Sequence, residues 1–117
     1  MSDLGARAWR FYVGDRIAFV ENAMAYSKGF DQAGFVANRL NFDATVRNLE
    51  LIGEAATRIP SEIRQAHPEI PWRQFVATRN RLIHGYLGID NDTLWSIIQR
   101  DLPALLPQLR SLHGQPD

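Results

Sequence analysis

Apolar residues recur every three to four positions along most of the chain, and no segment alternates steadily between apolar and polar residues. A helix turns about 100° per residue, so this spacing places apolar side chains on one buried face, whereas a strand requires a period of two. The clearest run predicts a helix over 6–26. Its inward-facing residues are Trp9, Val13, Ile17, Val20 and Met24. This spacing of apolar residues along the chain predicts an all-α fold.

Turn and cap residues predict where the next helices begin and end. A short helix or turn is expected over 31–38, followed by a long helix over 41–59. Pro60 should end the long helix, because the residue before a proline is driven out of the α region. Ser61 is expected to cap a short segment over 62–66.

Two further long helices follow, over 72–84 and 93–112. Pro71 opens the first of them, and Gly85 is a natural stop because glycine adopts a left-handed conformation at low cost. The second contains two interior prolines, each of which removes a backbone hydrogen bond and should bend the helix. The positions concerned are Asn91 or Asp92 as the cap and Pro103 and Pro107 as the bends.

Four main helices with short connections predict an antiparallel helical bundle with additional short helices. The length of 117 residues suits one domain, expected over 1–112 with a tail over 113–117. No run approaches the ~20 apolar residues that cross a bilayer. With no cysteine in the chain, disulfides and thiolate metal sites are excluded. These features predict a cytoplasmic protein that has no membrane contact.

Positive charge is concentrated in one segment of a chain whose net charge is zero. Between residues 70 and 89 there is no acidic residue. The segment contains Arg73, Arg79, Arg81 and His84. Such a cluster near a helix end has two explanations. A histidine there is often only a partner of the helix dipole, but a solvated surface normally mixes both signs of charge.

The alternative explanation is chemistry on a phosphate group. A histidine moves protons near neutral pH, and an arginine grips a phosphate with two parallel hydrogen bonds. Asn80 is placed to orient either group. RNA supplies its own nucleophile, the 2′-hydroxyl, so its cleavage needs no metal. Because His67 and His113 are isolated from His84 and no tight carboxylate cluster is evident, we expect neither a metal nor a cofactor.

Several other residues have both a structural and a functional explanation. Gly53, in the middle of a predicted helix, is expected to mark close helix packing more than ligand approach. Glu54 is expected to pair with Arg58 at i,i+4, with a catalytic acid as the alternative, and Asp43 should pair with Arg47 in the same way. Four aromatic residues at helical spacing are expected in the core, with base stacking as the alternative. They are Trp9, Trp72, Phe75 and Trp95.

The segment 79–86, which reads Arg-Asn-Arg-Leu-Ile-His-Gly-Tyr, resembles the Arg-x4-His-x-Tyr signature of HEPN-domain proteins of the HepT-like toxin branch. Residues 47–55 and 67–73 are similar to the helix and the turn that precede this motif in that branch. Residues 94–105 resemble its last helix. All four blocks occur in order, and Ala77-Thr78 replaces the more usual Gly-Met before the arginine.

The resemblance implies a dimer whose motif helices meet near a two-fold axis, and a metal-independent ribonuclease that acts as a toxin. It implies that Arg79 stabilises the phosphorane, that His84 is the acid and base, and that Asn80 supports them. Tyr86 would accept AMP from a partner, a minimal nucleotidyltransferase antitoxin. The charge pattern adds Arg73 and Arg81 as RNA-binding residues.

A binding module is the competing class. In that case the chain is a non-catalytic subunit that presents a substrate or nucleotide to a nucleotidyltransferase. A homodimer is also predicted from the composition of the motif helix, because its apolar side chains exceed what a small bundle can bury alone. These side chains belong to Phe75, Val76, Leu82 and Ile83.

Overall fold

The structure is a computed structural model that describes the backbone of residues 2–84 and 89–115, and the side chains from residue 8 onward within those ranges. All of its regular structure is helical, which confirms the all-α prediction. The elements are α1 (Ser2–Ser27), α2 (Gln32–Ala37), α3 (Arg39–Ala56), α4 (Ser61–Ala66), α5 (Trp72–Ile83), α6 (Asn91–Ser96), a π-helical turn (Ile97–Asp101) and α7 (Leu102–His113).

Helix α1 lies between α3 and α7, and α3 also packs on α5. The cross-helix contacts show that neighbouring long helices are antiparallel. Asn22 of α1 donates to Asn48 of α3 at 3.4 Å, and Asn41 of α3 donates to the carbonyl of Tyr26 at 2.8 Å. As the residue number increases along α1, the number of the residue that it contacts on α3 decreases, so the two helices run in opposite directions. The predicted antiparallel bundle is confirmed, and α5 forms one outer edge of it.

The end of α3 differs from the prediction. The helix stops at Ala56, three residues before the predicted end at Ile59. The N–H groups of Thr57, Arg58 and Ile59 each bond to the carbonyl three residues earlier, so the last turn tightens before Pro60. Ile59 still reaches the core, with 1% of its surface exposed.

Two of the predicted caps are wrong. Ser61 is the first residue of α4, and the position before it is a proline that makes no side-chain cap bond. The final helical region is capped by Asp90, whose carboxylate accepts the backbone N–H of Thr93 at 2.7 Å, and not by Asn91 or Asp92. That hydrogen bond is the main reason why the pKa of the Asp90 carboxyl lies below its ordinary value.

The predicted last helix is divided by the π-helical turn, after which Pro103 falls in the first turn of α7. A proline inside a regular helix lacks one donor and its ring presses on the carbonyl four residues earlier. A widened turn directly before Pro103 relieves this crowding. Pro107 lies inside α7 itself.

The core lies between the long helices and contains the aromatic residues that the sequence placed there. Trp9, Trp72 and Phe75 are buried, and Trp95 packs on Phe35 with ring centroids 5.3 Å apart. The structure therefore favours core packing over base stacking for these side chains. One buried residue was missed, because Arg16 has no exposed surface.

The structure corrects the apolar argument for a dimer. Phe75 is fully buried, and Val76 and Leu82 pack against the core of the same chain. Only Ile83 of the four residues stays half exposed, at 50%. Packing within the bundle thus accounts for three of these four side chains without a second copy. No helix in the described part of the chain is long and apolar enough to cross a membrane.

Candidate functional site

The motif residues occupy the exposed side and the C-terminal end of α5. Pro71 precedes the first residue of this helix and His84 is its C-cap, as predicted to within one residue. Phe75 and Thr78 face inward. Arg73, Asn80, Arg81 and His84 are exposed. The inward residues anchor the helix on α3, and the polar residues are left toward solvent.

Arg79 lies between these two sides, with 30% of its side chain exposed, and it has two partners. Its Nη2 atom is 2.9 Å from Oε2 of Glu54 on α3, and its Nη1 atom donates to Oδ1 of Asn80 at 2.9 Å. The guanidinium is therefore held from two sides. Arginine has five N–H donors, so several remain for a further anion.

Glu54 connects two arginines. Besides Arg79, it pairs with Arg58 at 3.5 Å, which confirms the predicted i,i+4 contact. The contact with Arg79 was missed, because the two residues are 25 positions apart and only the packing of α3 on α5 brings them together. The other predicted pair is wrong. Asp43 pairs with Arg39 at 3.1 Å, and Arg47 pairs with Glu50 at 3.2 Å.

Gly53 explains how Glu54 reaches the motif. A Cβ atom at this position would lie 2.3 Å from Cβ of Arg79 and 2.5 Å from the carbonyl oxygen of Phe75. Only a residue without a side chain allows the two helices to approach this closely. The expectation of close helix packing at Gly53 is correct, and the packing fixes the stem of Arg79 against α3.

His84 is exposed at the end of α5, five residues after Arg79. In a helix this separation corresponds to about 7.5 Å along the axis and about 140° around it. Within the described ranges, no hydrogen bond or ion pair joins the two side chains. The structure thus unites Arg79 with Asn80 and Glu54, and leaves the imidazole open to solvent. Gly85 and Tyr86 lie outside the described residues.

The two arginines predicted to bind RNA have different surroundings. Arg81 lies near enough to Asp90 to add to the lowering of that carboxyl's pKa. Arg73 lies at the start of α5 and lines a cleft next to α4. Acidic residues from other elements therefore approach a segment that contains none of its own. Glu54 and Asp90 reduce the local positive charge expected from the sequence.

Comparison with known proteins identifies the class. The model of the HepT-like protein family, whose description is "Ribonuclease HepT-like", matches residues 17–112. This chain therefore belongs to the HepT-like ribonuclease family, as its motif suggested, and the membership supports an RNase function.

Individual relatives agree with the family. The chain is 33% identical over 107 residues to "Probable ribonuclease HepT" of Thermococcus cleftensis, an alignment that covers 92% of this chain and 97% of that protein. It is also 33% identical over 102 residues to a protein of Methanocaldococcus jannaschii named as a candidate RNase, covering 87% of this chain and 94% of the relative. No solved structure matches the chain significantly.

Proposed function

We propose that this chain is a metal-independent endoribonuclease, the toxin of a toxin–antitoxin pair. The observation that carries the proposal is the double restraint on Arg79, by Glu54 and Asn80, on the same helix as an exposed His84. The family supports RNA as the substrate. A restrained arginine and an open imidazole near the end of one helix are the two groups that stabilise charge on a phosphate and move a proton.

The reaction follows from the chemistry of RNA. His84 in its neutral form takes the proton of a 2′-hydroxyl, and the oxygen attacks the adjacent phosphorus. Arg79 stabilises the negative charge of the phosphorane. The bond from phosphorus to the 5′ oxygen then breaks, and that oxygen takes up a proton. The products are a 2′,3′-cyclic phosphate and a 5′-hydroxyl group.

The pair with Glu54 does not prevent Arg79 from binding a phosphate. Both side chains are partly exposed, at 30% and 42%, and ion pairs of this kind contribute only about 0.2–1 kcal/mol. The guanidinium can therefore bind substrate while Glu54 keeps it oriented. Arg81 and Arg73 are proposed to attract the RNA backbone from the exposed side of α5.

The first experiment measures cleavage of RNA by the purified chain. We expect His84→Ala and Arg79→Ala each to lower the rate at least a hundredfold, the range by which a general base or a charge-stabilising donor acts. Circular dichroism should show unchanged helix content. Activity should persist in EDTA. Wild-type cleavage that needs added magnesium would contradict the mechanism.

We propose that two copies act together, as the family resemblance implies. A dimer would place two copies of His84 near one substrate, one to take the proton and one to return it. It would also bring together two copies of the basic segment between residues 70 and 89, although the chain is neutral overall. Light scattering at micromolar concentration should give a mass of about 27 kDa, twice the 13.3 kDa of the chain. A mass of one chain would exclude this part of the proposal.

We also propose that a minimal nucleotidyltransferase neutralises the chain by adding AMP to Tyr86. The phenolic oxygen attacks the α-phosphate of ATP, the bond to the β-phosphate oxygen breaks, and pyrophosphate leaves with the phenol proton passing to solvent. The added phosphodiester would bring negative charge near Arg79 and compete with RNA phosphate. Such a pair would act in the cytoplasm, where RNA and ATP are both present.

Intact-mass spectrometry after incubation with the partner and ATP tests this control. Wild type should gain the mass of one or more AMP groups and lose RNase activity, whereas Tyr86→Phe should gain none. Equal gain in both proteins would place the modification elsewhere. If wild type neither cleaves RNA nor accepts AMP but binds the nucleotidyltransferase, the chain is instead the non-catalytic subunit of a two-component nucleotidyltransferase, a function that its neutral net charge also suits.

A further inference from the structure

The cleft that Arg73 lines has a volume of about 560 Å³ and lies between α4 and the first turn of α5, at the opposite end of that helix from His84. Its floor is apolar and includes Ile70 and Pro71, and its polar lining includes Arg64 and Arg73. None of the described residues that line it is acidic. A nearby carboxylate, that of Asp101, accepts a hydrogen bond from Gln74 at 2.7 Å. The described lining therefore contains two guanidinium groups and no carboxylate, although Glu62 and Glu69 are adjacent in sequence to residues that line it.

The two arginines have hydrogen-bonding capacity to spare. The Nε atom of Arg64 is buried and has no hydrogen-bond partner in the described part of the chain. Arg73 is exposed, and no ion pair or side-chain hydrogen bond engages it within the same ranges. A buried donor without a partner destabilises the folded state. An anion that reached this donor from the cleft would remove that cost, and Arg73 lines the same cleft.

Helix geometry connects the cleft to the motif. Arg73, Asn80 and His84 are separated by seven and four residues, so they fall within about 20° of one line along α5. All three are exposed, and so is the small Ala77 between them. Arg79 lies about 120° away from Arg73 around the helix, toward α3. One open stripe therefore runs from the cleft to the imidazole.

The length of this stripe suits a nucleic-acid strand. Arg73 and His84 are eleven residues apart, about 16 Å along the helix. A stacked strand rises about 3.4 Å per nucleotide, so this distance spans about five nucleotides, or fewer if the strand is extended. The apolar floor beside the two arginines offers a surface for a base or sugar next to the bound phosphate.

We propose that this cleft is a second RNA subsite, in which Arg64 and Arg73 hold a phosphate of the same strand that is cut at His84. The inference rests on the proposed ribonuclease function and deepens it. It assigns the substrate class as single-stranded RNA that is long enough to extend from the imidazole to the cleft. A dinucleotide would reach only one end of this stripe.

The test compares a ten-nucleotide RNA with a dinucleotide, using wild type and the double variant Arg64→Gln, Arg73→Gln. We expect the preference for the longer substrate, as a ratio of kcat/KM values, to fall about tenfold or more, the range of charge-assisted hydrogen bonds. This fall should come from a higher KM for the ten-nucleotide RNA, with kcat little changed. Arg110→Gln is the matched control, because this exposed arginine pairs with Glu21 on another face of the bundle, and it should keep the preference.

Binding of a non-cleavable 2′-deoxy ten-nucleotide strand separates this inference from the proposed function. Its affinity for wild type should fall with salt, and the double variant should show a shallower slope, by about 0.7 for each phosphate that the variant no longer neutralises. Arg73→Gln alone should show part of this change. This single variant tests the inference even if substitution of the half-buried Arg64 disturbs folding.

Each outcome decides between the two ideas. Cleavage by wild type with an unchanged length preference in the variants overturns the subsite and leaves the ribonuclease intact. Absent cleavage with salt-sensitive binding that the variants weaken supports the subsite and overturns the ribonuclease. If the variants lose only their inactivation by the nucleotidyltransferase, the cleft binds that protein and the inference is wrong. Absence of both binding and cleavage overturns both.

Discussion

At the scale of single residues, the motif arginine depends on a carboxylate from another helix. Glu54 is 2.9 Å from Arg79, and the pair is partly exposed, so its contribution to stability is small. Its effect on orientation is larger, because Asn80 alone would hold the guanidinium from one side only. Glu54 is thus a positioning residue in the proposed reaction.

We predict that Glu54→Gln lowers kcat for RNA cleavage about tenfold and changes KM little, because misplacing a catalytic group costs rate more than affinity. The free energy of unfolding should fall by no more than about 1 kcal/mol. The matched control is Glu50→Gln, which removes a similar carboxylate from the same helix and breaks the pair with Arg47. Equal losses of kcat in both variants would assign the effect to α3 as a whole.

Arg16 is a buried cation that no carboxylate of the described residues neutralises. Its Nε atom donates to the carbonyl of Ile52 at 3.1 Å, and its guanidinium lies over the rings of Trp72 and Phe75 at 5.1 and 5.9 Å. Its two terminal nitrogens have no hydrogen-bond partner within the same ranges. Burial lowers the pKa of Arg16 to about 10, so the charge costs stability in full below that pH, and the cost fades as pH rises toward the ordinary value.

The substitution Arg16→Met should therefore preserve or raise the free energy of unfolding, by up to about 3 kcal/mol, because it fills much of the same space without charge. Arg16→Ala should lower it by about 2–5 kcal/mol through the cavity that it leaves. Urea unfolding at neutral pH measures both. A loss in the methionine variant as large as in the alanine variant would show that the guanidinium has an essential partner.

At the scale of elements, the contact between α3 and α5 depends on one glycine. The carbonyl of Phe75 and the stem of Arg79 fill the space that a side chain at Gly53 would need. Backbone and Cβ atoms cannot move aside as the end of a flexible side chain can. This contact both stabilises the outer edge of the bundle and sets the position of the motif.

We predict that Gly53→Ala lowers the free energy of unfolding by about 1–3 kcal/mol through overpacking, although alanine is the better helix former by about 1 kcal/mol. RNase activity should fall further than stability alone explains, because Arg79 is displaced. Gly14→Ala is the control, since its new Cβ would meet only the ring of His113 at 3.3 Å. That variant should be neutral or stabilised by up to about 1 kcal/mol, and a similar loss in both would refute the close-contact explanation.

The sequence predicted elements better than their ends. The spacing of apolar residues and the position of Pro71 placed α5 to within one residue, because a proline is tolerated at the start of a helix and not in its interior. The cap of α6 was misplaced because Asp90, Asn91 and Asp92 are all good caps, and only the structure shows which one accepts the N–H of Thr93. The π-helical turn leaves no periodic signal that distinguishes it from a helix bent by Pro103.

At the scale of the whole molecule, the spacing of apolar residues was enough to predict the fold class. It was not enough to predict which side chains surround the motif residues. Contacts within a helix, such as Glu54 with Arg58, follow from spacing. Contacts between helices, such as Glu54 with Arg79, depend on which faces pack and how closely. The sequence therefore identified the motif residues, whereas the carboxylates that approach them came only from the assembled bundle.

The end groups of the cleaved RNA test the central proposal most directly. If His84 and Arg79 promote attack by the 2′-hydroxyl, digestion in EDTA should leave 2′,3′-cyclic phosphate and 5′-hydroxyl ends, as mass spectrometry of the fragments will show. A single 2′-deoxy nucleotide at the cleavage position should abolish cutting there. Fragments with 5′-phosphate ends, or undiminished cutting at the 2′-deoxy position, would contradict the account.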